Sequence, residues 1–184
     1  MQTKAAHGSL IGGPEGPPYI CYICYICCTG SEPETTMAKI VRAKDYRWDV
    51  PVKEYKTDGT GFRDIHRQTL LGENEGEERL NFITRYFEIQ PGGYSSLEHH
   101  EHPHSVVIIR GAGEVVLEDR VESIGLHDCV YIAPHQWHQF HATTDESLGF
   151  LCIVDRDRDR PQVPTEEDVE ELRKNPALAG RIKV

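Results

Sequence analysis

Two short bursts of histidine, each set against a strand-like run, constrain this chain more than any other feature. Eight of its ten histidines fall between residues 99 and 141. The first burst reads Ser96-Leu-Glu-His-His-Glu-His-Pro-His104 and leads into Val106-Val-Ile-Ile-Arg110. The second reads Ala133-Pro-His-Gln-Trp-His-Gln-Phe-His141 and follows Cys129-Val-Tyr-Ile132. Imidazole is the commonest metal ligand. Residues two apart in an extended chain share a face. A regular strand therefore projects His100 and His102 side by side, with His104 joining them if the strand continues past Pro103. A second strand carrying His138 then completes a site suited to a divalent first-row metal. By the same parity His99 and Glu101 point away. His141, opposite in parity to His138, is expected in solvent. His127 and His135 fall in turns and read as loop residues at a rim, with orientation of the ligands as their sharper role.

The rest of the chain is built for strands. Residues 52–56, 62–71 and 80–89 alternate or carry β-branched and aromatic runs, and Pro91-Gly-Gly93 is expected to turn the last of them. Further runs lie near 104–110, 113–118, 121–124, 129–133, 137–142 and 148–154, with turn residues between them. Short strands at near-regular spacing indicate an all-β sandwich or barrel. A helical period is missing before residue 165, which removes the βαβ alternative. After it, Thr165 is an N-cap candidate, Glu166, Glu167 and Asp168 suit a first turn, and Val169 with Leu172 makes an apolar i, i+3 pair. The expected divisions are a disordered low-complexity extension over 1–36, an N-terminal arm over 37–61, a barrel over 62–155, and a charged connector with a C-terminal helix over 156–184. Arg156-Asp-Arg-Asp-Arg160, an alternating-charge run, reads as a solvated connector or as a cap on a subunit contact.

Composition excludes several classes. A formal net charge of −10 argues against nucleic acid as partner, because phosphate binding needs a basic surface. No apolar stretch approaches the roughly 18–20 residues that cross a bilayer. No charged segment followed by a long apolar one suggests secretion, so the expected location is the cytoplasm. Cys129 and Cys152 lie in strand-like runs and read as buried small hydrophobes. Cys21, Cys24, Cys27 and Cys28 lie in the repeated Tyr-Ile-Cys of the first 36 residues. Their spacing invites an iron–sulfur or zinc reading. The repeat and its Gly/Pro-rich neighbours favour an extension without a core, with Met37 a possible restart.

The histidine pattern resembles the cupin superfamily. That family's first motif is Gly, His-x-His, a Glu and then Gly. Gly93, His100, His102 and the Gly111-Ala-Gly113 turn fall at closely similar spacing. His138 matches the histidine of the second motif, and the resemblance covers roughly residues 62–155. The departures are specific. Val106 stands at the acidic ligand position, His127 and His135 at glycines, Ala133 at a proline, and Ala142 at an asparagine. The resemblance implies an all-β, cupin-type (RmlC-like jelly roll) β-barrel of two packed antiparallel sheets, with a short C-terminal helix after it. It also implies a metal in the barrel mouth held by His100, His102 and His138. His104 is the expected substitute for the missing carboxylate; three histidines plus water is the alternative. Zinc is the first expectation for the ion, with iron, manganese, copper or nickel as others. Single-domain cupins with a His-x-His-x-His motif are similar, and some of those resemble zinc-dependent polyketide cyclases.

The function implied is an enzyme acting on a small oxygenated organic molecule, as a cyclase, isomerase or dioxygenase, with the metal as Lewis acid. A non-catalytic binding or sensor cupin is the alternative, and an inactive structural relic a third. Candidate catalytic residues are Arg85, Tyr86 and Glu98. In the strand over 80–89 either Arg85, Phe87 and Ile89 or Thr84, Tyr86 and Glu88 face inward, so either Arg85 or Tyr86 meets the substrate. Glu98 shares the face of His100 and is placed to hold a ligand or carry a proton. Trp137 and Phe140 either wall the site or pack as ordinary core. No Gly-rich phosphate loop and no Gly-x-Ser-x-Gly elbow is present. A small-molecule substrate, no nucleic acid, no membrane and a homodimer paired through the 37–56 arm complete the expectation.

Overall fold

The computed structural model describes residues 38–56 and 61–184. The expected extension over 1–36, with its four cysteines, lies outside them. The strand-like runs form antiparallel strands, close to their expected limits from residue 52 on, and the arm adds a short hairpin that was not expected. They are β1 (Ala43–Lys44), β2 (Arg47–Trp48), β3 (Val52–Glu54), β4 (Arg63–Leu71), β5 (Phe82–Tyr94), β6 (His104–Arg110), β7 (Gly113–Leu117), β8 (Arg120–Ile124), β9 (Cys129–Ile132), β10 (His138–His141) and β11 (Leu148–Asp155). The one helix among the described residues is α1 (Glu166–Arg173).

Nine of these strands make a single curled sheet, ordered β8-β7-β10-β5-β11-β6-β9, with β4 on β5 and β3 on β4. The curl originates in β5. Its first part pairs with β4 and β11, from Ile83 opposite Val154 to Ile89 opposite Leu148, while its far end brings Tyr94 opposite His141 of β10. Pro91-Gly92-Gly93 was expected to end the strand; instead it bends it. Gly92 has φ +75°, and a Cβ on Gly93 would lie 2.6 Å from the Arg63 carbonyl oxygen. Only glycine passes both restrictions cheaply, so one strand serves both walls of a barrel.

Alternation fills the interior. Ile83, Phe87 and Ile89 of β5, Val106 and Ile108 of β6, Phe140 of β10, and Leu148, Phe150 and Cys152 of β11 bury their side chains in one cluster. Of the two strand-borne cysteines, Cys152 is buried as expected, whereas Cys129 is exposed. His127 (φ +74°) and His135 (φ +64°) occupy turns in the left-handed region, where glycine is the residue without strain. Those are the two positions at which the cupin pattern carries glycine.

The outer faces are covered locally. Thr165 caps α1 through a capping box with Asp168, as its sequence indicated. Val169, Leu178 and Ile182 then pack on Leu97 and Val116 behind β7. On the other side the arm lies on its own barrel. β3 pairs with β4, Trp48 packs on Tyr86 with ring centroids 4.4 Å apart, and the Gln68 amide donates to the Trp48 and Val50 carbonyls. The arm thus adds β3 to the edge of its own barrel. No helix of the described residues is long and apolar enough to cross a membrane.

Candidate metal centre

His100 and His102 do not lie in a regular strand. The segment between β5 and β6 makes only isolated bridges, Glu98 with His138 and His99 with Gln162, and bends at 101–102 before β6 starts at His104. The reason is competition for its backbone groups: the His100 carbonyl accepts from His135 N–H at 2.7 Å, and the His99 N–H donates to the Gln162 carbonyl. The bend still turns every second residue inward. His100, His102 and His104 are buried while Glu101 is exposed. The rings of His100 and His102 stack at 3.8 Å, and His138 meets His100 edge-on at 4.8 Å.

The polar partners of the rings fix which nitrogen faces the centre. Nδ1 of His100 donates to the His102 carbonyl (2.7 Å), and Nδ1 of His138 to the Gln136 carbonyl (2.9 Å). Nδ1 of His102 donates to Asp159 Oδ1 (2.6 Å). A ring that donates through Nδ1 presents a bare lone pair at Nε2. Nε2 of His100 is buried with no hydrogen-bond partner among the described residues. Nε2 of His102 lies 3.2 Å from Nε2 of His104. Two nitrogens bound to one metal at about 2.0–2.1 Å stand roughly 3 Å apart. Ligand atoms of His100, His104 and His138 all lie within 4.8 Å of one another. Converging lone pairs without donors fit a divalent cation. Burial, followed by the neighbouring imidazoles His138 and His102, pushes His100 down to about 4. Burial, then His138, His100 and Arg85, lowers His104, and burial lowers His138. Each of these three shifts favours the neutral ring, the form that binds metal.

Asp159 was not foreseen. It belongs to the alternating-charge run read as a solvated connector, and it holds His102 while also accepting from the backbone N–H of Glu101 (2.9 Å) and of His102 (3.2 Å). Burial opposes ionisation, but the His102 hydrogen bond and these amides together outweigh it and keep its carboxyl well below the usual range. Carboxylates in this position orient ligand rings, and their loss typically costs 10–100-fold in metal affinity. Asp159→Ala is expected to weaken metal binding by about that factor in competition with a chelating dye. Unchanged affinity would show that His102 needs no such support.

The histidines open onto a cavity of about 230 Å³. His102, His104, His138, Glu98, Arg85 and Phe140 line it. Tyr86 does not: with Glu88 it occupies the opposite face of β5. There its hydroxyl donates to Glu88 (2.8 Å), which also takes Arg110 (2.7 Å) and Arg47 (3.0 Å). Trp137 also stays outside, edge-on to His99 and against the α1 cluster. Val106, at the position of the expected carboxylate, is in the cavity wall. Glu98 pairs with Lys56 at 2.5 Å. Tyr55, Lys56, Arg67, Cys152 and Arg158 also reach the cavity, and none carried a motif that named it.

His141 faces outward, as its parity required, but is buried rather than solvated. The chain end covers it: Gln139, its hydrogen-bond partner, also accepts from the Lys183 N–H. Burial, then Lys183 and Arg181, pushes it down to about 4. The folded state therefore binds fewer protons than the unfolded chain, in which the group titrates near 6.5. Its contribution is complete above that value and is lost as pH falls from about 6.5 toward 4. Between pH 7 and pH 5, metal-free wild type is expected to lose about 1–2 kcal/mol more stability than His141→Gln. Denaturant unfolding at both pH values checks this; equal losses would overturn it.

A model of the cupin domain matches residues 85–154. Over 137 residues the chain is 44% identical to the 1-methylthio-D-xylulose 5-phosphate methylsulfurylase of Rhodospirillum rubrum, spanning 73% of this chain and 85% of that one. A cupin 2 conserved barrel domain protein from Rhodopseudomonas palustris superposes with a TM-score of 0.71 at 41% identity, over 78% of this chain and 98% of that one. The polyketide cyclase RemF from Streptomyces resistomycificus superposes with a TM-score of 0.62 at 23% identity, over 77% and 99%. That last likeness is one of fold.

Proposed function

The chain belongs to the cupin superfamily, and we propose that it is a metal-dependent enzyme acting on a small phosphorylated ketose that carries a thioether. The substrate class is the one in the name of the Rhodospirillum rubrum relative. The observation that carries the reading is the convergence of buried imidazole lone pairs on a cavity large enough for one small molecule. His100, His102, His104 and His138 would hold the ion, zinc or another divalent first-row metal. Such an ion supplies Lewis acidity toward a carbonyl oxygen.

The chain's own residues do the rest. Glu98, in the cavity wall beside His138 and paired with Lys56, takes a proton from the carbon next to the carbonyl and can return it. Lys56 holds that carboxylate in place. Phe87, Phe140 and Phe150 form an apolar wall that excludes water from the reacting carbon and strengthens each charged contact. Arg85 lies in the same wall as a positioning group.

The test is turnover. Metal-loaded protein is incubated with 1-methylthio-D-xylulose 5-phosphate and a thiol, and the S-methyl resonance is followed by proton NMR. Consumption that disappears in Glu98→Gln, at unchanged metal content, supports the reading. An unchanged resonance with fully loaded wild type overturns it and leaves a binding module.

A further inference from the structure

The far side of the cavity holds more positive charge than its surroundings balance. Arg67 of β4, Arg85 of β5 and Arg158 of the segment after β11 all line it. Arg85 lies opposite Cys152 of β11, which lies opposite Val106 of β6, and Arg67 lies opposite Phe87, which lies opposite Phe150. The guanidinium groups therefore project from the inner face of the sheet that carries His104. Arg85 reaches the Cys152 Sγ at 3.3 Å, and that sulfur is 3.7 Å from Nδ1 of His104. The cationic end and the histidine end thus belong to one cavity, one side chain apart.

The compensation is thin. Nε of Arg67 and Nε of Arg85 are buried with no hydrogen-bond partner among the described residues. Arg85 otherwise rests over the Phe87 ring at 5.1 Å. Glu73 stands 3.8 Å from Arg158, and Lys53 also draws on it at 3.9 Å. The carboxylate that lines the cavity, Glu98, is already paired with Lys56. Three guanidinium groups facing one shared carboxylate leave about two charges unbalanced. Burial and mutual repulsion with Arg85 lower both Arg67 and Arg158. Buried charge of this kind is costly without a counter-charge. Guanidinium forks match phosphate oxygens in geometry.

We propose that Arg67, Arg85 and Arg158 form an oxyanion subsite that takes the phosphate monoester of the substrate, with the substrate's carbonyl end directed to the histidines. A phosphate dianion balances both excess charges; a carboxylate would balance one. The subsite rests on the enzymatic reading only for the identity of the rest of the substrate.

Calorimetry on the full chain, metal-loaded and metal-free, tests it with inorganic phosphate, acetate, D-xylulose 5-phosphate and D-xylulose as probes. Inorganic phosphate is expected to bind both forms, at least tenfold tighter than acetate. D-xylulose 5-phosphate is expected to bind at least tenfold tighter than D-xylulose. Arg158→Gln, on the rim and outside the strands, should lower affinity for both phosphates about tenfold and leave D-xylulose unchanged. Arg67→Gln should add to that loss. Thermal unfolding of each variant guards against misfolding. Phosphate that binds only when metal is present, or equally well in the arginine variants, overturns the subsite. Arginine-dependent phosphate binding without turnover keeps the subsite and removes the enzymatic reading. Turnover with a KM untouched by Arg158→Gln does the reverse.

Discussion

Replacing His104 with alanine is expected to lower metal occupancy at least tenfold, while His99→Ala and His141→Ala keep wild-type occupancy. Three facts set this order. Nε2 of His104 lies 3.2 Å from Nε2 of His102 and is grouped with the ligand atoms of His100 and His138. Val106, two residues on and also in the cavity wall, is fully buried and has no donor atom, so no carboxylate takes that vertex. His99 packs against Trp137, and His141 lies on the outer face under the chain end. Loss of an orienting partner alone costs about 10–100-fold in affinity, and loss of a ligand should cost no less. Plasma emission on dialysed protein reads the result. Equal occupancy in His104→Ala and wild type would reduce the site to three histidines. Val106→Glu in the His104→Ala background is the complementary case: restored binding shows that both positions compete for one vertex.

Stripping the metal should lower the melting temperature by about 8–16 °C. A ligand that binds only the folded state at a thousand times its Kd adds about 4 kcal/mol, and in a domain of this size each kcal/mol shifts Tm by about 2–4 °C. The coupling is local. His100 and His102 sit in a segment with only isolated bridges, and β6 and β10 begin at His104 and His138. The ion would tie the 100–104 stretch to the start of β10 where the backbone ladder is weakest. Calorimetry before and after chelation, with a metal assay on the same samples, reads the shift. An unchanged Tm after proven removal would show that the site and the fold are independent. Re-addition of metal should restore the original value.

Much of the fold was legible in the sequence because strands are local in pattern. Alternation located β4 through β11 to within a few residues, and Thr165 as an N-cap before an acidic first turn announced α1. The histidine side of the cavity was legible for the same reason, since inward parity survives the bend at 101–102. The errors came where backbone or charge answered to something distant. Pro91-Gly92-Gly93 reads as a turn in isolation, and only the Arg63 strand beside it makes it a bend. Tyr86 and Arg85 are equal candidates on an alternating strand until the arm covers one face with Trp48 and Arg47. His141 has a solvent parity, yet the last residues of the chain cover it.

By itself the sequence determined an all-β domain, a cupin-like histidine pattern, which histidines face inward, and a capped C-terminal helix. Each of these is set by neighbours within a few positions, through side-chain alternation or capping hydrogen bonds. The tertiary structure alone decided that Asp159 holds His102 from 57 positions away. It alone decided that Arg67, Arg85 and Arg158 share one cavity with the histidines. Those outcomes depend on how far the sheet curls. The curl is a sum over many strand twists and one glycine bend, so no short window of sequence contains it.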